Sequence, residues 1–79
     1  MFEYDICTVY DEDVFNRQCA ALETRIPELL KGELLTDVDG TQIQEYTLGN
    51  DEVLVLNDVL LGVIVRSGID LTPRFETKH

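Results

Sequence analysis

Tryptophan is absent from this chain, serine and histidine occur once each, and six lysines and arginines stand against sixteen aspartates and glutamates. Each scarcity excludes something. The one serine, Ser67, falls in a predicted turn, and the one histidine, His79, is the final residue. A Ser-His or Cys-His pair therefore lacks a base held in place, and nucleophilic catalysis is not expected. Neither a G-x-x-x-x-G-K-[ST] loop nor a G-x-G-x-x-G turn is present. Cys7 and Cys19 form no C-x-x-C pair and have no histidine cluster beside them. Both are expected to be free thiols serving as small apolar residues, which suits a reducing cytoplasm. The opening Met-Phe-Glu-Tyr-Asp lacks the basic and apolar regions of a signal peptide, and no apolar run approaches membrane-span length.

The formal charge is −10 over 79 residues. Phosphates and anionic bilayers would repel such a chain, so direct nucleic-acid or membrane binding is not expected. The partners this charge favours are cationic: a basic protein groove, a nucleic-acid-binding protein or a divalent metal. Metal chemistry has two candidates. Asp37-Val38-Asp39-Gly40 resembles the middle of a calcium loop. Its first and twelfth positions would then be Leu35 and Tyr46, which supply no carboxylate, so a hairpin turn is the better reading. Glu3 and Asp5 share a strand face and lie close enough to chelate, but no third carboxylate with a lysine or histidine accompanies them. No cofactor is expected.

Residues 2–10 alternate, with Phe2, Tyr4, Ile6, Thr8 and Tyr10 on one face, and read as a strand. Asp11, Glu12 and Asp13 suit a helix start, where an aspartate caps free N–H groups and negative charge meets the positive dipole end. Phe15, Cys19, Leu22, Ile26 and Leu29 then form an apolar stripe. Asp13–Arg17 and Glu28–Lys31 pair along it. The stripe predicts a helix over 12–31, capped by Gly32 and kinked or ended at Pro27. The remainder predicts strands over 33–38, 41–48, 52–56 and 59–66. The turns between them are at Asp39-Gly40, Gly49-Asn50-Asp51 and Asn57-Asp58. After a turn at Ser67-Gly68, residues 69–71 could form a short edge strand, and Pro73 ends regular structure.

The expected fold class is therefore α+β, in the order β-α-β-β-β-β. It is a four- to five-stranded antiparallel meander with one helix on one face. Residues 1–75 make the domain and 76–79 a frayed tail.

This order has a consequence for charge. If each connection is a simple reversal, the first strand runs up, the helix down, and the later strands alternate. Asp11, Glu12, Asp13, Asp37, Asp39 and Asp58 then gather at one end, with no lysine or arginine in the same turns. The opposite end is mixed. An acidic pole of this kind can present carboxylates as a nucleic acid presents phosphates. Residues 52–66 carry ten large aliphatic residues, more than one helix can cover. A partner, a second copy of the chain, or residues 69–75 with Phe75 would have to cover the other sheet face.

In size and charge the chain resembles phage-encoded inhibitors of host enzymes, by composition and not by motif. The functional expectation is a non-enzymatic, acidic protein-binding domain that inhibits or regulates a partner by occupying a basic site, such as a nucleic-acid-binding one. The alternative is a homodimeric accessory domain whose acidity serves solubility.

Overall fold

The computed structural model describes the backbone of residues 1–75 and the side chains through Pro73. Its elements are β1 (Phe2–Cys7), α1 (Glu12–Arg25), β2 (Leu30–Thr36), β3 (Gln42–Leu48), β4 (Asp51–Asp58), β5 (Gly62–Ser67) and α2 (Thr72–Phe75). The five strands form one antiparallel sheet in the order β1-β5-β4-β3-β2. This is the expected α+β meander, with β1 added beside β5 and α1 packed across β4. The tail at 76–79 and its His79 lie outside the described residues, as does the side chain of Phe75.

The helix begins where the acids predicted. Asp11 is extended (φ −156°, ψ 109°), and its Oδ1 accepts from the N–H groups of Asp13 at 2.9 Å and Val14 at 3.1 Å. It ends six residues earlier than the stripe suggested. Proline disfavours the helical region for the residue before it. Ile26, which precedes Pro27, is at φ −124°, ψ 81°, and its N–H closes the last turn on the Leu22 carbonyl at 2.9 Å. The predicted Gly32 cap and Glu28–Lys31 helical pair are therefore replaced. Lys31 pairs with Glu23 instead, at 3.3 Å, and Gly32 lies in β2. Gly32 sits in a register break of β2 between Lys31 and Leu34. There Gln44 of β3 donates from Nε2 to the Gly32 carbonyl at 3.1 Å, bridging the interrupted ladder.

Phe15, Leu22 and Ile26 bury their side chains against Tyr46 and Leu48 of β3, Val53 and Val55 of β4, and Val63 and Val65 of β5. The stripe was thus read correctly, even where Ile26 and Leu29 have left the helix. A bulge between Asp5 and Cys7 corrects the reading of β1: Cys7, not Ile6, continues the face of Phe2 and Tyr4. Residues 69–71 form no strand. Ile69 and Leu71 enter the core on the helix side, Leu71 completely buried, and Pro73 lies inside the short α2. Tyr4 holds this segment: its hydroxyl accepts from the Leu71 N–H at 2.7 Å and donates to Asp70 Oδ1 at 2.9 Å.

Residues 69–71 therefore leave the other sheet face uncovered. Leu56 and Ile64 on that face are nonetheless only 7% and 4% exposed. Each sits mid-sheet opposite the other across β4 and β5, and Leu56 also opposes Ile43. In-plane neighbours shield the centre, while Leu30 and Leu35 near the β2 edge stay exposed.

Candidate functional site

The strand directions place three connections at one end of the sheet: residues 8–11 after β1, 37–41 between β2 and β3, and 59–61 between β4 and β5. They touch one another. The Val59 N–H donates to Thr41 Oγ1 at 3.3 Å, and a Cβ at Gly40 would lie 3.8 Å from Val59 Cγ1. Gly62, at φ +92°, lies under the first connection; a Cβ there would strike the Cys7 carbonyl oxygen and fall 2.7 Å from the Val9 nitrogen. The fully buried Asn57 joins the same end to the helix start. All six predicted residues, Asp11, Glu12, Asp13, Asp37, Asp39 and Asp58, thus belong to one end, and no lysine or arginine lies in its three connections.

Four of the six also have local duties. Asp11 caps α1. Asp37 Oδ1 accepts from the Val38 N–H at 2.8 Å, and Asp39 Oδ1 from the Thr41 N–H at 2.9 Å. Asp58 Oδ1 accepts from the N–H groups of Leu60 at 2.8 Å and Leu61 at 2.9 Å. These two backbone bonds, Leu60 first, hold the Asp58 carboxyl below its ordinary range, so it stays ionised. Glu12 and Asp13 are exposed in the first helical turn and cap no N–H group. Local turn chemistry thus accounts for the position of Asp11, Asp37, Asp39 and Asp58. Asp37 and Asp39 remain exposed, and Asp11 and Asp58 are half-buried.

The β2–β3 connection, residues 37–41, is three residues longer than the predicted Asp39-Gly40 turn. The Gly40 N–H donates to the Asp37 carbonyl and the Asp37 N–H to the Thr41 carbonyl, with Gly40 at φ +95°. The β4–β5 connection differs more. Asn57 and Asp58 belong to β4, and the turn is Val59-Leu60-Leu61, expected as strand. Asp58 supplies the carboxylate that folds it and Gly62 the positive φ that closes it. The sequence reading missed the result. Leu60, Leu61, Val59, Val38, Val9 and Tyr10 are exposed at the same end as the acids.

Two other clusters bear on chemistry. Glu3 Oε2 accepts from Arg66 Nε at 2.6 Å, so the Glu3–Asp5 pair is partly neutralised from β5. No group of three or more potential metal ligands gathers among the described residues. On the helix side, the Tyr46 hydroxyl donates to Glu23 Oε2 at 2.6 Å beside Lys31. Burial pushes the nearby Cys19 thiol up, keeping it protonated. Cys7 and Cys19 are both free thiols.

No family model matches the chain, and no curated protein or solved structure matches it. No helix among the described residues is long and apolar enough to cross a membrane.

Proposed function

We propose that this chain is a small acidic protein-binding domain that inhibits or regulates a partner by occupying a basic site, such as a nucleic-acid-binding surface. One observation carries the reading: Asp11, Glu12, Asp13, Asp37, Asp39 and Asp58 share an end of the sheet with exposed aliphatic residues and with no cationic side chain in its connections. The carboxylates would steer and orient a cationic surface. The free thiols suit a reducing cytoplasm. On this reading the chain is a binder and not an enzyme.

The test is capture from a cell lysate at low and high salt, using the wild type, a Glu12→Lys/Asp13→Lys variant and an Asp51→Lys/Glu52→Lys variant. Salt-sensitive retention of a nucleic-acid-binding protein, displaced by duplex DNA and lost only in the first variant, is expected. Equal losses in both variants would mean that net charge alone matters.

A second reading, a homodimer joined through the helix-free sheet face, draws on exposed Leu30 and Leu35 beside half-buried Ile43 and Leu54. Sedimentation separates the two, since a dimer of this kind would become monomeric on Leu35→Lys substitution.

A further inference from the structure

We infer that the Val59-Leu60-Leu61 turn is the anchor of this surface, and that it fits a protein cleft whose apolar floor is rimmed by lysine and arginine. The inference rests on the cationic-partner reading above. Leu60 is 85% exposed and Leu61 57%, and Val38 of the neighbouring turn is fully exposed. The turn does not need aliphatic side chains for its own shape. Asp58 folds it by accepting both leucine N–H groups, and Gly62 closes it with its positive φ. Polar residues would serve the same backbone at lower solvation cost, so these side chains gain only when something removes them from water. The two bonds to Asp58 also fix the tip before contact, which lowers the ordering cost of binding.

The charge chooses the occupant. Asp58 lies at the base of the tip and Asp37 and Asp39 in the adjoining turn, with Glu12 and Asp13 exposed at the same end. Two such ends would set carboxylate against carboxylate, which opposes self-association here. An anionic bilayer is repelled for the same reason. A cleft that offers apolar surface to the leucines and cations to the surrounding acids satisfies both.

Two helical synthetic peptides of equal positive charge test this, one with a leucine face opposite its lysines and one with alanine in place of leucine. Binding is followed by NMR at low salt. The wild type should bind the Leu/Lys peptide at least about tenfold more tightly than the Ala/Lys peptide, with perturbations at residues 58–62 and 37–41. A Leu60→Ser/Leu61→Ser variant should lose that advantage and keep its Ala/Lys affinity. An unchanged urea midpoint will show that it folds. Equal wild-type affinities for the two peptides, both weakened by Glu12→Lys/Asp13→Lys, would overturn the anchor and leave the cationic-partner reading standing. No binding of either peptide would overturn both. Perturbations confined to the helix-free sheet face would overturn the anchor, as would preferential docking of the tip onto zwitterionic vesicles.

Discussion

The side chain of Asn57 accepts a hydrogen bond from the Asp11 main-chain N–H at 3.0 Å, tying the cap of α1 to the end of β4. Its Nδ2 donates to Gln42 Oε1 on β3, also at 3.0 Å. One buried amide therefore holds the helix start, β4 and β3 in a fixed relation beneath the acidic end. Asn57→Leu should lower unfolding free energy by about 1–3 kcal/mol, because it leaves a polar group unsatisfied on each side. Urea denaturation checks this, and a midpoint within error of the wild type would contradict it.

Gly62 and Gly40 both have positive φ, yet their substitution should differ sharply. At Gly40 a Cβ meets nothing closer than Val59 Cγ1 at 3.8 Å, so Gly40→Ala should cost only backbone strain, about 1–2 kcal/mol. At Gly62 the Cβ would strike main-chain atoms of Cys7, Thr8 and Val9. Gly62→Ala should therefore destabilise by more than about 3 kcal/mol or prevent folding. Thermal unfolding of the two variants side by side gives the comparison.

The bond between Tyr46 and Glu23 makes stability depend on pH at both extremes. The Tyr46 hydroxyl, followed by Lys31, lowers the Glu23 pKa from its ordinary value. The unfolded state then binds more protons across the carboxylate range, so this stability is present above the ordinary glutamate pKa and lost in acid. Burial, followed by the bond to Glu23, raises the Tyr46 pKa. That contribution is complete below the ordinary tyrosine range and declines as pH climbs past it. Tyr46→Phe should be less stable than wild type at neutral pH, with the gap narrowing below about pH 4. In ultraviolet titration Tyr46 should stay un-ionised until the chain unfolds. Tyr46→Phe should remove that late step.

At the acidic end, stability and binding should separate by residue. Asp11→Ala removes a cap that serves two N–H groups and should cost about 1 kcal/mol in urea. Glu12→Gln and Asp13→Asn should change the midpoint little, because those carboxylates cap nothing, and should still weaken binding to a cationic partner. Large unfolding effects at positions 12 and 13 would show that their charge serves the helix itself.

The sequence disclosed what depends on periodicity and local chemistry. Phe15, Leu22 and Ile26 marked the buried stripe, and Asp11 marked the cap. The alternation of reversals brought Asp37, Asp39 and Asp58 to the end that holds Asp11. It concealed what depends on distant contacts. Leu29 kept the helical spacing after Pro27 had already turned Ile26 out of the helix, because it packs on the core from an irregular segment. Asn57 looked like a turn residue; Gln42 and the Asp11 N–H, remote in sequence, give it a place inside a strand. That shift moved the turn onto Val59-Leu60-Leu61, whose composition reads as strand. The apolar half of the candidate surface was hidden for this reason.

The pairing of β1 with β5 sets Phe2 opposite Ser67. Strands β2 to β5 join neighbours in sequence and can zip by short steps, whereas β1 must wait for the far side of the meander to exist. Such closure raises contact order and slows folding. During synthesis β1 would stand unpaired until residue 67 had emerged, so a strand made before the other four is the last of them to gain its neighbour.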